Sequence, residues 1–305
     1  MSNLSKYMNY VESVVKNYDD FRRAVEDLLN ELLFEQSLRD RKRYVELRPK
    51  GRAAFIGDVH GDYYTLLEIL DKVRALEILE TGGYIVFLGD YIDRGEEQIR
   101  TVALLAKLKT DWRDRVVMLR GNHEPPPHLT PSPHDFPYRL REYFGYTKAE
   151  ELYELMKQVF ETLPLILYIP EAIVAFHGGP PVTRMQRYTT PQEILDVGVE
   201  DFEEVLWSDP VEDIETYEFN IIRGAGLLWG YKVTEEFLSK VNAKMIIRGH
   251  EPCEGYKLDH REKVLTLFSM KGYYGNTYAG ALTIDLDNLG KEGIVEQIRK
   301  GIVLV

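Results

Sequence analysis

The stretch GDYIDRG, residues 89–95, follows directly on the apolar run Tyr84-Ile85-Val86-Phe87-Leu88. A run of this length and composition indicates a buried strand, so Asp90 is expected where the strand ends and its loop begins. In open α/β sheets, strand ends of this kind face the ligand-binding crevice. The loop brings together two carboxylates, Asp90 and Asp93, then Arg94, and it begins and ends with glycine. These residue types predict a cation site beside an anion site.

The same arrangement recurs along the chain: a short apolar strand, then a loop rich in glycine and in metal-binding or phosphate-binding residues. The five cases are 53–56 before GDVHGD (57–62), 84–88 before GDYIDRG, 116–119 before RGNHE (120–124), 172–176 before HGG (177–179) and 244–247 before RGHE (248–251). We therefore expect five strands to deliver polar loops to one rim.

The segments between these strands favour an α/β fold. Residues 64–79 and 96–109 show helical periodicity, and strands that are apolar throughout indicate a sheet covered on both faces. After residue 244 the pattern changes to short strands and turns. We expect 264–268 and 281–285 to form a second sheet, packed on the first as a sandwich.

The 305 residues are enough for one catalytic domain, predicted at 51–305, with a helical extension at 1–50. Two apolar stripes at 7–18 and 21–32 predict helices packed on the core, rather than a partner-binding arm. Asp19 or Asp20 is the expected helix cap between them.

Composition limits the partners. The net charge of −12 argues against nucleic acid and anionic membranes. The first residues do not resemble a signal peptide, and no apolar run approaches the roughly 18–20 residues of a membrane span. A cytoplasmic location is expected.

The loops offer ligands for two cations. Asp58 and His60 are two positions apart at a strand end, so an extended backbone points both side chains to the same side. If Asp90 bridges, one ion takes Asp58, His60 and Asp90, and the other takes Asp90, Asn122, His177 and His250. Oxygen and imidazole ligands together suit Mn, Fe or Zn better than Ca or Mg. We expect two divalent ions, manganese before iron or zinc, about 3.5–4 Å apart and holding a hydroxide in line with a phosphorus atom.

Other residues match the remaining needs of phosphoester hydrolysis. His123 lies next to Asn122 and is not needed as a ligand, so it is the candidate general acid, with Asp93 orienting it. Arg94 and Arg223 are candidate phosphate clamps, because a guanidinium matches phosphate oxygens.

Covalent mechanisms are not supported. Six residues beyond the lone Cys253 stands Asp259 rather than arginine, and the stretch Asp285-Leu286-Asp287 lacks the following threonine or valine of an aspartyl-phosphate enzyme. Cys253 is expected to be inert, and a single cysteine excludes an intrachain disulfide.

Residues 124–137, EPPPHLTPSPHDFP, contain six prolines and predict a stiff loop beside the site. His128 and His134 in this loop are expected to be solvated, with substrate contact as the less favoured interpretation.

These motifs, together with LWSDP (206–210), RGAG (223–226) and FSMKGYY (268–274), resemble in the same order those of the phosphoprotein phosphatase family of calcineurin-like metallophosphoesterases. The family includes calcineurin and the eukaryotic type-1 serine/threonine phosphatases. The similarity covers about residues 30–288. It implies an αββα sandwich with mixed sheets and outer helices, two metals, and hydrolysis of phosphoserine and phosphothreonine in phosphoproteins. A compact prokaryotic member is expected, and regulatory subunits are left open.

The resemblance implies the same residue roles. The family's metal ligands match Asp58, His60, Asp90, Asn122, His177 and His250. Its proton donor pair matches His123 and Asp93, and its phosphate-binding residues match Arg94, Arg223, Asn122 and Tyr273. Tyr273 corresponds to a tyrosine that overhangs the site in the family, which spacing alone does not reveal. The sequence departs from the eukaryotic pattern at Met270–Tyr274 and in the proline-rich stretch.

Two alternatives remain. A dinucleoside polyphosphate hydrolase, or another nucleotide phosphohydrolase, would share the metal core. More remotely, the chain would be a non-catalytic phosphate-binding scaffold. The GNHE, WSDP and Phe-Ser-x3-Tyr stretches favour the protein phosphatase.

Overall fold

The computed structural model describes residues 4–48, 50–289 and 293–305. Its helices are α1 Ser5–Val14, α2 Tyr18–Leu38, α3 Tyr63–Lys72, α4 Ala75–Glu80, α5 Gln98–Trp112, α6 Phe136–Phe144, α7 Tyr146–Thr162, α8 Val182–Arg187, α9 Pro191–Leu195, α10 Phe202–Trp207, α11 Tyr231–Val241 and α12 Ile294–Gly301. Its strands are β1 Tyr44–Glu46, β2 Arg52–Ile56, β3 Tyr84–Phe87, β4 Val116–Met118, β5 Ile166–Ile169, β6 Ile173–Phe176, β7 Asp209–Pro210, β8 Tyr217–Phe219, β9 Leu227–Trp229, β10 Met245–Arg248, β11 Tyr256–Asp259, β12 Val264–Leu267, β13 Gly280–Asp285 and β14 Ile302–Leu304.

Two mixed sheets position the loops. One has the order β14-β13-β2-β3-β4, with β2, β3 and β4 parallel. The other has the order β1-β5-β6-β10-β12-β11, with β6, β10 and β12 parallel. The carboxyl ends of parallel strands lie at one edge of a sheet. An isolated parallel bridge between Asp58 and Phe268 joins the two edges, so the loops of both sheets reach one rim.

The sheets pack face to face, and helices cover their outer faces. Phe55 of β2 lies in the apolar cluster between the sheets, whereas its neighbour Ile56 lies in the cluster under α1–α5 and α7. In β10, Ile247 faces the other sheet and Ile246 packs under α8–α11. Successive side chains of a strand point to opposite faces. Because both faces are covered, the strands read as apolar throughout, and the layer order is αββα as expected.

The N-terminal helices pack on this framework. Asn17 caps α2, because its side-chain oxygen accepts the N–H of Asp19 at 2.8 Å. The expectation that Asp19 or Asp20 caps the helix is therefore wrong; both lie in its first turn, where carboxylates favour the helix dipole. Lys109 of α5 binds Glu35 of α2 at 2.5 Å. The division at residue 50 stays a prediction, although β1 lies in the six-stranded sheet.

Two expectations about the elements are wrong. The helix predicted at 64–79 is divided into α3 and α4, because Arg74 before α4 has a left-handed backbone with φ of 59°. The strands predicted at 264–268 and 281–285 do not share one sheet. The first is β12 of the six-stranded sheet, and the second is β13, which pairs with β2.

Among the described residues, no helix combines the length and the apolar character that crossing a membrane requires.

Candidate active site

A cleft of about 820 Å³ opens at the rim where the loops of the two sheets meet. Its wall contains five of the six predicted metal ligands, and the sixth, His177, is fully buried beside them. His123, Arg94 and Arg223 also line the cleft. The structure therefore brings together side chains from all five predicted loops.

Asp90 lies at the centre of this cluster. Its Oδ2 atom is 3.3 Å from His60 Nε2 and 3.3 Å from His177 Nε2. Two groups of donor atoms are close enough to hold a metal ion, and each includes Asp90. One group adds His60 and His123, and the other adds His177 and His250. This is the arrangement expected of a carboxylate shared between two cations.

The tautomers of two imidazoles fit cation binding. His60 Nδ1 donates to the carbonyl oxygen of Ile92 at 2.8 Å, and His177 Nδ1 donates to that of Leu88 at 3.0 Å. A carbonyl oxygen only accepts, so in the neutral imidazoles the lone pair is on Nε2 and faces Asp90. Two lone pairs facing one carboxylate oxygen repel it unless a cation lies between them. Backbone carbonyls commonly orient metal-binding histidines in this way.

The remaining predicted ligands complete the cluster. Asn122 Oδ1 lies 2.9 Å from His177 Nε2 and 2.9 Å from His250 Nδ1. Asp58 Oδ2 lies 4.0 Å from His60 Nε2, and Asp58 Oδ1 accepts the backbone N–H of His250 at 2.8 Å. The donors are carboxylate, amide and imidazole groups, which suit Mn, Fe or Zn. The residues present therefore fit divalent cations.

Burial shifts the pKa values of these groups apart. Desolvation raises the pKa of Asp58 to about 6 and lowers that of His60 to about 4. Burial alone would raise the pKa of Asp90, but the neighbouring imidazoles of His177 and His123 hold it well below its usual value. Burial also lowers the pKa of His250. The carboxyl groups of Asp58 and Asp90 are therefore shielded from water, and divalent cations would stabilise their charged forms.

The backbone is strained at the same residues. His60, Asp90, Asp93, Arg94 and His250 have φ values of 45°, 55°, 64°, 72° and 74°. The left-handed region costs a non-glycine residue about 1–3 kcal/mol, so the surrounding structure must hold each residue there. Five of the fourteen described non-glycine residues with positive φ therefore lie at the rim.

Glu124 holds two of the loops, a role that no sequence motif predicted. Its Oε2 accepts the backbone N–H groups of Asp90 at 2.8 Å and Gly121 at 2.9 Å, and its Oε1 accepts that of Tyr91 at 2.8 Å. Glu124 is fully buried. A side chain at Gly121 would come within 2.2 Å of Asp90 N and Oδ1, so the two loops approach more closely than another residue would allow.

His123 is paired with Asp93 as predicted. His123 Nδ1 donates to Asp93 Oδ2 at 2.6 Å, and Asp93 is fully buried. Burial would raise the pKa of Asp93, but its hydrogen bonds from two histidines hold the pKa well below the usual value. The carboxylate is therefore ionised and fixes the orientation of the imidazole.

Both predicted phosphate arginines reach the cleft, although each already has partners. Arg94 Nε donates to the hydroxyl oxygen of Tyr274 at 2.9 Å, and Arg94 Nη2 lies 3.3 Å from His123 Nε2. Arg223 binds Asp209, with Nη2 at 3.2 Å from Oδ1. These contacts orient the two guanidinium groups at the rim.

The tyrosine of the cleft is Tyr274 rather than Tyr273. Tyr274 lines the cleft and Tyr273 does not, although both are exposed, at 44% and 51%, and their rings pack edge-on at 4.9 Å. Adjacent tyrosines in a turn are indistinguishable by sequence spacing, so only the fold decides which one faces inward. The geometry favours Tyr274 for the role expected of Tyr273.

The proline-rich stretch is irregular up to α6, as predicted, but the expectation that His134 is solvated is wrong. His134 Nδ1 donates to Asp93 Oδ2 at 2.7 Å, and His134 Nε2 lies 2.8 Å from the hydroxyl oxygen of Tyr153. His128 is exposed as expected. The one available signal was the position of His134 next to Asp135, the residue that precedes α6. The sequence does not reveal that the loop folds back onto Asp93.

Comparisons with known proteins identify a matching family and similar proteins. Residues 51–254 match the family model described as calcineurin-like phosphoesterase. Over 242 residues the chain is 31% identical to the serine/threonine-protein phosphatase 6 catalytic subunit of Caenorhabditis elegans, which covers 76% of this chain and 68% of that protein.

Two further similarities extend over most of the chain. It is 29% identical over 261 residues to a probable serine/threonine-protein phosphatase of Encephalitozoon cuniculi (strain GB-M1), covering 83% of this chain and 54% of that protein. The solved structure of a protein serine/threonine phosphatase from Saccharomyces cerevisiae, with similarity to human phosphatase PP5, superposes with a TM-score of 0.73. That structure is 21% identical and covers 95% of this chain and 89% of that chain, so it shows the shared fold.

Proposed function

Because the chain belongs to the calcineurin-like phosphoesterase family, we propose that this phosphatase hydrolyses phosphoserine and phosphothreonine in proteins, without a covalent enzyme intermediate. The two relatives described above are named as serine/threonine-protein phosphatases, which supports this substrate class.

One observation supports the proposal most directly. Asp90 Oδ2 lies 3.3 Å from an imidazole nitrogen on either side, and when the two imidazoles are neutral both nitrogens turn their lone pairs toward it. On the loops that follow β3 and β4, Asp93 and His123 form a buried imidazole–carboxylate pair. A cation-binding pair next to a proton donor pair is the constellation that phosphomonoester hydrolysis needs.

Each side chain has a role in this proposal. When bound, the two divalent cations supply Lewis acidity and lower the pKa of a coordinated water to near neutrality. We assign Asp58, His60 and Asp90 to one cation, although His123 also lies close to His60 and Asp90, and Asp90, Asn122, His177 and His250 to the other. His123 donates a proton to the leaving oxygen.

The arginines and Asn122 bind the phosphoryl group in this account. Arg94 and Arg223 stand on the cleft wall and present planar donors that match phosphate oxygens. Tyr274 orients Arg94 through its hydroxyl group, and the ring of Tyr273 packs edge-on against that of Tyr274. Arg94 Nη2 lies at 3.3 Å from His123 Nε2, so an incoming phosphoryl group would bring both groups to the same substrate.

The cleft suits a polypeptide substrate. Its volume of about 820 Å³ is larger than a phosphoserine side chain needs, and its wall includes apolar residues such as Leu129, Pro131 and Ile222. Ile222 is 92% exposed, which is unusual for a large apolar side chain and typical of surfaces that contact a partner.

We further propose manganese as the resident metal, with iron or zinc as alternatives, and a cytoplasmic prokaryotic protein whose partners are phosphoproteins rather than nucleic acid or membrane. The ligand set of oxygen and imidazole donors supports these three metals. Regulatory subunits are not assigned.

The experiment is a phosphopeptide panel assayed with the metal-stripped protein and with Mn²⁺, Fe²⁺ or Zn²⁺ restored. We expect phosphate release from phosphoserine and phosphothreonine peptides, dependent on added metal. Diadenosine tetraphosphate serves as the competing substrate, and its faster turnover would replace the proposal with a nucleotide hydrolase. Two bound metals without release of phosphate from any substrate would indicate a phosphate-binding scaffold.

A further inference from the structure

The proline-rich loop directs one side chain inward, toward the proposed proton donor pair. His134 Nδ1 lies 2.7 Å from Asp93 Oδ2, the same oxygen that His123 Nδ1 contacts at 2.6 Å. Two imidazoles therefore share one carboxylate oxygen. The far nitrogen of His134, Nε2, is held by the hydroxyl group of Tyr153 at 2.8 Å.

The carboxylate of Asp93 is fully saturated by these contacts. Its Oδ1 accepts the backbone N–H groups of Asp135 and Phe136, both at 2.9 Å. An ionised carboxylate has about four acceptor positions, so no free position remains. Three of the four donors come from residues 134–136, and only one comes from His123 itself. The segment that begins with His134 thus fixes the plane of the carboxylate.

The same segment also restrains Arg94. Arg94 Nη1 donates to the carbonyl oxygen of Pro133 at 2.8 Å, and the backbone N–H of Arg94 donates to Asp135 Oδ1 at 3.2 Å. The loop therefore contacts both neighbours of His123, its carboxylate partner and the guanidinium beside its Nε2 atom.

From this geometry we infer that His134 is a positioning residue for the proton donor: it holds the Asp93 carboxylate in the orientation that keeps His123 aimed into the cleft. This inference rests on the proposed function. Its role differs from that of His123, because His134 Nε2 is directed toward Tyr153 and the side chain does not line the cleft.

The physical reason lies in how a buried carboxylate is held. Hydrogen bonds to an ionised group are the short and strong ones, and Asp93 has no contact with bulk water. Without His134, the two backbone N–H groups still hold Oδ1, but Oδ2 keeps His123 as its single donor and its vacated acceptor position can admit water. The carboxylate can then shift at Oδ2 and loosen the imidazole of His123, and a displacement of about 1 Å at a catalytic group reduces catalysis strongly.

The test compares His134→Ala, His134→Asn and His128→Ala in the metal-loaded enzyme. Asparagine places an N–H donor close to the position of imidazole Nδ1, so it retains the contact with Asp93. His128 is an exposed histidine of the same loop and is the matched control. Each variant is assayed on a phosphoserine peptide, whose alkoxide leaving group needs a proton, and on p-nitrophenyl phosphate, whose leaving group does not.

We expect His134→Ala to lower kcat about tenfold on the phosphoserine peptide and less than about twofold on p-nitrophenyl phosphate. His134→Asn should recover most of the loss, and His128→Ala should match the parent on both substrates. Equal losses on both substrates would show that His134 only maintains the loop, and no loss on either would show that Asp93 does not need it. Both outcomes overturn the inference.

A second readout does not depend on turnover. In zinc-loaded protein with ¹⁵N-labelled histidine, the Nδ1–H proton of His123 is expected to resonate far downfield, because it is donated to a buried carboxylate. His134→Ala should shift this signal, whereas His128→Ala should not. A signal that is the same in both variants contradicts the inference. If the parent protein releases no phosphate from the peptide, yet His134→Ala still shifts the signal, the proposed substrate is refuted and the role of His134 is retained.

Discussion

Replacing Glu124 with glutamine would test how the metal-binding loops are held. The carboxylate of Glu124 accepts three buried backbone N–H groups, from Asp90, Tyr91 and Gly121, at 2.8–2.9 Å. A glutamine has one acceptor oxygen and one NH₂ group in place of the two oxygens. In its better orientation the amide oxygen keeps Asp90 and Gly121, while its NH₂ group faces the N–H of Tyr91.

The magnitude follows from these contacts. One buried N–H is left without an acceptor, which costs about 1–3 kcal/mol. Burial raises the pKa of Glu124 to about 8, so no charge assistance is counted for the other two hydrogen bonds at neutral pH. We expect a loss of about 1–3 kcal/mol in the free energy of unfolding. Because the released N–H belongs to Tyr91, the residue that follows the candidate metal ligand Asp90, metal affinity should fall as well.

Urea unfolding in the presence of a fixed metal concentration measures this change. Glu254→Gln is the matched control: Glu254 also accepts two backbone N–H groups, from Thr277 and Tyr278, but on the exposed surface. Its unfolding midpoint should stay unchanged, since exposed substitutions have small effects. A Glu124→Gln protein that unfolds at the same urea concentration as the control would refute this account of the loops.

Three further predictions concern the acid, the cysteine and the metals. His123→Ala should lower the turnover of a phosphoserine peptide by about 10²–10⁴ with metal content unchanged, as measured by steady-state kinetics and elemental analysis; an unaltered rate would remove His123 from the role of general acid. Burial raises the pKa of the Cys253 thiol to about 12, so at pH 8 its thiolate fraction should be about 10³ lower than that of a free cysteine, whose pKa is about 8.5. Iodoacetamide should therefore label Cys253 slowly in the native protein and rapidly in urea, and rapid labelling of the native protein would contradict the raised pKa of the thiol. Metal at 100 times its dissociation constant should stabilise the fold by about 2.7 kcal/mol per independent site; EDTA should then lower Tm in calorimetry, and an unchanged Tm would argue against metal binding.

The layer order of the fold was predictable because it depends on local signals. Strands such as 53–56 are apolar on both faces, and each is followed at once by glycine and a polar loop. Strand pairing was less predictable. β13 runs antiparallel to β2, more than 200 residues earlier, and its apolar side chains would suit either sheet.

The polar side chains near the cleft also divide into those that local sequence signals predicted and those that depend on the path of a loop. Asp58, His60 and Asp90 were found from their place at strand ends, where the backbone alone directs them to the rim. His134 was not, because its contact with Asp93 depends on the path of a loop of six prolines, for which the sequence contains no periodic signal. Tyr274 was missed for a similar reason. A difference of one residue in the turn decides whether Tyr273 or Tyr274 faces the cleft, and sequence spacing does not reveal it.

The central claim is that the carboxylate of Asp90 is shared by two cations. Anomalous diffraction from crystals grown with Mn²⁺ tests it most directly. The account predicts two anomalous peaks about 3.5–4 Å apart, with Asp90 between them, His60 on one side and His177 and His250 on the other. A single peak, or peaks that lie away from Asp90, would contradict it.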